Sequence, residues 1–455
     1  MLFLLVACSA ENADEKKSAF TGAKNEVKLI TLDPGHFHAA LVQKIMYAQV
    51  DPLVHVFAPQ GNDVQMHLQR IENYNNRTEN PTHWQEELYL GADYLEKLLS
   101  ARPGNVVVIS GNNQRKTEYI NKMISSGLNV LADKPMAINA EDFELLKKSF
   151  DEAASQGVLL YDIMTERYEI TITLQKELSQ IPDVFGQLNT GSLHEPAVTK
   201  ESVHHYFKYV SGKPLIRPPW YFDVSQQGEG IVDVTTHLVD MVQWECFPEQ
   251  IIDYSNDIEV LAARRWPTMI SAEQFEKSTG LSRYPDYLKK DLGGNNTLAV
   301  YANGDISYKI KGIHAKVSVI WNFQAPEGAG DTHFSIMRGS KANLIISQGK
   351  EENYKPALYI EAVADLDESV LKEAIVNLAK KYPGLDLTKS GKRWQVVIPD
   401  NFYIGHEAHF GQVTEKCLTY LIGGKLPAWE IPNMIAKYYT TTRALQIAET
   451  VRNVN

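Results

Sequence analysis

Between residues 27 and 162 short apolar runs alternate with stretches of helical spacing, and this alternation constrains the fold more than any other feature of the chain. The runs cover residues 27–32, 53–58, 105–110, 128–132 and 158–162. Each is built on consecutive apolar residues rather than on apolar residues at every second position. Strands of that kind are buried on both faces, which happens when a parallel sheet is covered by helices on each side. The intervening stretches include 36–47, with Ala39, Val42, Ile45 and Met46 at helical spacing, and 141–156, with Asn139 as its cap and Gly157 as its stop.

This pattern predicts an α/β chain with an N-terminal Rossmann-like doubly wound parallel sheet over 26–160. Past Asp162 the grammar changes. Residues 171–178 and 232–244 have helical spacing, 184–194 reads as a strand, and 214–222 is a loop rich in proline and aromatics. Further strands are expected at 297–301, 306–310, 316–323, 334–338 and 343–347, with Asn303-Gly304 as a hairpin turn. The expectation for 161–455 is a C-terminal α+β domain on a largely antiparallel open sheet. Charged insertions near 257–292 and 365–400 are expected outside that sheet, and a helix is expected at 432–452.

The net charge of -11 argues against a nucleic-acid partner, which requires clustered Lys and Arg. At 44% hydrophobic, the 455 residues have ample material for two cores. Met1 to Ala7 is apolar, Cys8 follows, and a polar stretch runs to Ala23. The run is far shorter than the ~20 residues that span a bilayer. It resembles a bacterial lipoprotein signal, with Cys8 as the lipidated residue and residues 1–25 as signal and tether. That resemblance implies a periplasmic, outer-membrane or cell-surface protein held to the membrane only by its lipid; a cytoplasmic protein is the alternative. Cys246 and Cys417 are expected as buried thiols.

Two stretches carry candidate chemistry. Leu128 to Ala132 leads into Asp133-Lys134-Pro135, which places Lys134 at the C-terminal edge of a strand, where ligands bind open α/β sheets. Gly228-Glu229-Gly230 precedes Asp233 and His237, four residues apart and so on one helical face. A lysine can stabilise a developing alkoxide, a histidine can take a proton, and a carboxylate can orient either.

Together these features resemble the Gfo/Idh/MocA oxidoreductases, named for glucose–fructose oxidoreductase and inositol dehydrogenase. The family carries Glu-Lys-Pro where this chain has Asp133-Lys134-Pro135, and a glycine-rich run, an aspartate and a histidine where it has Gly228 to His237. The resemblance returns at His409-Phe410 and at Ile422 to Pro427. It implies NAD or NADP as cofactor and a secondary hydroxyl of a sugar or glycoside as the reacting group. By that resemblance Lys134 bridges nicotinamide ribose and substrate, Asp233 binds a hydroxyl, and His237 takes the proton. A homo-oligomer is also implied.

The chain departs from the family at the turn after the first strand, where Leu32-Asp33-Pro34-Gly35-His36-Phe37-His38 replaces the glycine motif. Asp33, Gly35, His36 and His38 are therefore the expected phosphate-side residues, with Asn112 and Asn113 beside the nicotinamide ribose. Tyr161, Arg167, His194 and Trp220 are expected to face the substrate. His406 and His409 are not read as a metal pair, because no third ligand is in view, and no metal is expected. A location outside the cytoplasm implies a tightly held cofactor. Two rival readings are a glycosidase that uses transient oxidation and elimination, and a non-catalytic sugar-binding lipoprotein.

Overall fold

A computed structural model describes residues 20–210, 213–326 and 328–451. The expectations on Met1 to Ala7 and Cys8 lie outside the described residues. The apolar runs form a parallel sheet: β1 (Leu29–Leu32), β2 (Leu53–Ala58), β3 (Gln85–Leu90), β4 (Val106–Ile109), β5 (Asn129–Asp133) and β6 (Leu160–Ile163). Their order is β3-β2-β1-β4-β5-β6, doubly wound about β1. Every residue of β1, β4 and β6 is buried, as the continuous apolar runs require. The helix Ala140–Gln156 starts on Asn139, whose side chain accepts from the Asp142 amide, and stops at Gly157 in the left-handed region.

β3 is an edge strand with a Gln-Glu-Glu-Leu-Tyr-Leu sequence in which no residue is buried, and apolar patterning does not reveal it. The expected helix over 36–47 shrinks to His38–Leu41.

The second sheet runs from β7 (Val198–Phe207) through β8 (Ile258–Ile270), β9 (Leu298–Ile310), β10 (Ile313–Gln324), β11 (Thr332–Arg338), β12 (Ala342–Ser347), β13 (Ala357–Ala362), β14 (Asp386–Ser390) and β15 (Arg393–Val397). The order is β8-β9-β10-β7-β11-β12-β13-β15-β14, antiparallel except where β10 meets β7. Three expectations are corrected here. The stretches near 257–292 and 365–400 are not outside the sheet. β8 forms one edge, with Arg264 ion-paired to Asp305 across the ladder, and β14 and β15 form the other. Charge on an edge strand hides it from apolar patterning and also protects the edge from mispairing.

Asn303-Gly304 is not a turn but the middle of the 13-residue β9. Asn303 bonds the Trp266 carbonyl, Thr268 and the Trp321 amide across both neighbours. A Cβ on Gly304 would lie 2.8 Å from the Ile231 side chain, so here glycine serves close packing. Residues 184–194 form only isolated bridges, such as Leu188 with Gly339, and the strand begins at Val198.

The helices Ile170–Ser179, Thr235–Cys246 and Glu430–Val451 share one core with this sheet. The last helix, expected at 432–452, also contributes Met434 and Tyr438 to the core of the parallel domain. It joins the two domains through apolar packing and through Lys437, whose buried ammonium meets Asp162 at 2.6 Å and Asp240 at 2.8 Å. Cys417 is buried as expected, whereas Cys246 is partly exposed; both are free thiols. Among the described residues no helix is long and apolar enough to cross a membrane.

Candidate active site

The carboxyl edge of the parallel sheet faces a cavity of about 460 Å³ walled on the other side by the second domain. β5 ends in Asp133, Lys134 follows, and the Lys134–Pro135 peptide is cis. The Lys134 ammonium donates to Asp233 Oδ1 at 2.6 Å, and Gln227 donates to Oδ2 of the same carboxylate at 3.0 Å. Burial opposes ionisation of Asp233, but the Lys134 charge holds its carboxyl below the usual range. One turn on, His237 lines the same cavity, and its buried Nδ1 has no hydrogen-bond partner. Burial, reinforced by the Lys134 charge, lowers the His237 imidazole to about 4, so it is neutral near pH 7.

The turn after β1 supplies two more imidazoles. Asp33 takes a left-handed φ of 48°, and its carboxylate accepts from the Tyr119 hydroxyl at 2.9 Å. A Cβ on Gly111, after β4, would fall 2.3 Å from the Asp33 carbonyl, so this approach admits only glycine. The amides of Gly35 and His36 both donate to the Ser110 carbonyl at 3.3 Å. His38 packs its ring on Phe410, and its Nδ1 lies 3.0 Å from Asp133 Oδ2.

Beyond the reacting centre the cavity extends along β7, β10 and β11. Asp331 collects His204 at 3.2 Å, His205 at 3.1 Å and Lys208 at 2.5 Å. Trp321 stacks on His204, and Arg217 lies over the Tyr221 and Trp321 rings.

Of the residues expected from the sequence, the structure brings Lys134, Asp233, His237, His36, His38 and Asn113 into one cavity wall. Four others lie just behind it. Asp33 and Gly35 build the turn, Asn112 donates to Gln226 at 2.7 Å, and the Trp220 indole donates to Asp63 at 2.7 Å. Three lie elsewhere, a correction to the expected substrate set. Tyr161 is buried with its ring edge-on to Tyr420. Arg167 is spent on Asp240 at 2.7 Å and Glu430 at 3.0 Å. His194 is exposed between Gly191 and Pro196, which bridge to each other.

Sequence reasoning missed Glu166, Arg217 and Asp331 and named His406 only to set it aside as a metal ligand, yet all four line the cavity. Glu166 sits one residue from the Arg167 that the reading favoured, at the start of a 3-10 turn. The other three come from separate loops or helix starts, and nothing in the local sequence marks Arg217 or Asp331.

The residues suit a dinucleotide unevenly. The nicotinamide side fits: Lys134 and Gly111 line the cavity, and Asn113 Oδ1 is a buried acceptor with no partner. The phosphate side does not fit in the usual form. The His36 amide is committed to Ser110, His38 fills a glycine position, and a Cβ on Gly35 would lie 3.2 Å from both Trp220 and Asp63.

A doubly wound parallel domain that presents a lysine to an aspartate and a histidine from a mainly antiparallel domain defines a two-domain α/β oxidoreductase. Comparison with known proteins makes this specific. Residues 35–161 match the model described as "Oxidoreductase family, NAD-binding Rossmann fold", and residues 174–449 match "Putative oxidoreductase C terminal domain". The chain therefore belongs to the Gfo/Idh/MocA oxidoreductases, with the C-terminal domain of that second model. A crystal structure titled as a "putative oxidoreductase" from Parabacteroides merdae shares 60% identity, with a TM-score of 0.92 over 95% of this chain and 99% of that one. A levoglucosan dehydrogenase, solved with NADH and levoglucosan, shares 11% identity with a TM-score of 0.60, over 93% of this chain and 97% of its own. An oxidoreductase structure from Thermotoga maritima is alike at 12% identity and a TM-score of 0.59, over 93% and 98% of the two chains. At these identities the last two show the fold alone. A search of curated proteins returns no match.

Proposed function

We propose that the protein oxidises a secondary hydroxyl of a sugar or glycoside, with NAD or NADP as the acceptor. The observation that carries this reading is the placement of Lys134, Asp233 and His237 in one cavity wall, with Lys134 and Asp233 2.6 Å apart. The nicotinamide, when bound, supplies the hydride acceptor.

The chain's own residues handle the proton and the charge. A hydroxyl between Lys134 and His237 meets an ammonium that stabilises oxygen as it gains negative charge, and a neutral imidazole that takes the proton. Asp233 fixes the ammonium in place and is itself fixed by Gln227. Neutral His237 accepts because burial and the nearby Lys134 charge remove the proton it would otherwise hold. Trp321, Tyr221 and the polar groups of Asp331 and Gln348 give the rest of the cavity the mixture of ring faces and hydrogen-bonding groups that a sugar needs.

One protein of the same fold is a levoglucosan dehydrogenase solved with NADH and levoglucosan, and the substrate class proposed here, a sugar or glycoside, is of that kind. The reading includes a lipid anchor on Cys8, a site outside the cytoplasm, and a cofactor held tightly enough to survive purification. The test is to purify the protein without added cofactor, denature it, and quantify nicotinamide, then to supply a glycoside panel and look for a keto-sugar. Bound nicotinamide and a keto product are expected. The absence of both sinks the proposal.

A further inference from the structure

The turn that replaces the glycine motif brings together ligands for a metal ion. One ring nitrogen each of His36 and His38 and a carboxylate oxygen of Asp133 all lie within 4.8 Å of one another in the cavity wall. The two imidazole nitrogens are 3.5 and 3.0 Å from Asp133 Oδ2. Ligand atoms about 2.0–2.1 Å from a tetrahedral zinc are about 3.3 Å from each other, so these separations are close to the edges of such a site. His36 Nδ1 is buried with no hydrogen-bond partner, although it faces the carboxylate. We propose that His36, His38 and Asp133 form a three-ligand site for a divalent transition metal of the zinc class, with its fourth position open to the cavity.

The neighbouring imidazole fits this assignment. A ligating histidine normally donates its other ring N–H to an acceptor, which sets its tautomer. His38 Nε2 lies 3.4 Å from His406 Nε2, and His406 Nδ1 lies 3.6 Å from Glu166 Oε1. With a metal on His38 Nδ1, the His38 Nε2 proton points at His406 Nε2, a nitrogen able to accept it.

The ligand set of two imidazoles and a carboxylate suits zinc or its cobalt substitute rather than magnesium or calcium. The charge of the neighbouring Lys134 is met by Asp233 and not by the ligand carboxylate. A metal here would polarise an oxygen in its fourth position, whether water or a substrate hydroxyl. It would also give the altered turn a role: two imidazoles and an acid hold a cation where bare amides hold phosphate.

Ligation stands apart from the proposed oxidation, and one set of samples tests both. The full chain is stripped with chelator and titrated with Co(II). The intense visible bands of a tetrahedral site are expected at one ion per chain, together with a rise in Tm. His36→Gln and Asp133→Asn should each weaken Co(II) binding at least ~10-fold. The inference is overturned by wild-type protein that shows neither bands nor a Tm rise, or by folded variants that bind Co(II) as the wild type does. If a variant does not fold, the wild-type titration alone decides. Nicotinamide is quantified in the same material. Nicotinamide without a metal site rejects this inference and leaves the oxidation standing; a metal site without nicotinamide supports this inference and counts only against the tight hold on the cofactor.

Discussion

Lys134 from the parallel domain and Asp233 from the antiparallel domain meet at 2.6 Å, with both side chains largely buried. This contact joins the strand end to the helix that carries His237 and so sets the distance between the cation and the base. Lys134→Ala removes the cation and leaves Asp233 bonded only to Gln227 among its side-chain partners. A loss of at least ~2 kcal/mol in kcat/KM is expected, read from steady-state kinetics on the glycoside that reacts. Unchanged kinetics would remove Lys134 from the chemistry.

The acid limb of the pH profile reports His237. Its folded value of about 4 lies below the ordinary histidine value because of burial first and the Lys134 charge second. The imidazole therefore stays neutral, and able to accept a proton, until the pH falls toward 4. The limb of log kcat/KM should lie there rather than near ~6.5. In Lys134→Met the limb should move up, since one repelling charge is gone while burial remains. A wild-type limb near 6.5 would assign it to another group.

Much of this was legible from the residues, for identifiable reasons. Strands buried on both faces, such as Val106–Ile109, announce themselves as unbroken apolar runs. Lys134 is flagged by the proline after it, and His237 by the glycines before its helix. Edge strands are not legible in this way: β3 and β8 carry Glu and Arg where a central strand would be apolar. Arg167 illustrates the converse. A charged residue past a strand end suggested a substrate contact, but Asp240 and Glu430, 73 and 263 residues away in sequence, claim it. Glu166, Arg217 and His406 converge only through the fold.

Arg167→Ala should therefore act on stability. It leaves Asp240 and Glu430 buried without their guanidinium partner. Removing one member of a buried ion cluster costs about 3–5 kcal/mol. Denaturant unfolding should show a loss of that size, and Arg167→Lys should restore only part of it, because lysine lacks the bidentate fork. A variant as stable as the wild type would contradict a structural role.

Glu86 gives a pH-dependent test. Burial, partly offset by the bond from Gln43, raises its carboxyl from 4.5 to about 7. A raised acid holds its proton more tightly in the folded state. Its contribution is fully present below pH 4.5 and is lost as the pH climbs through 7. Glu86→Gln mimics the neutral form, so it should leave stability nearly unchanged near pH 4 and raise it by about 3 kcal/mol near pH 8. Equal effects at both pH values would refute the shift.

The account rests most directly on what the cavity does to a sugar. The decisive measurement is mass spectrometry of the products when the purified protein meets glycosides in the presence of NAD or NADP. The account predicts a keto-sugar, lighter than its parent by a pair of hydrogens, formed in step with reduced nicotinamide. A glycoside cleaved at an unchanged oxidation level, or one bound and returned intact, would contradict it.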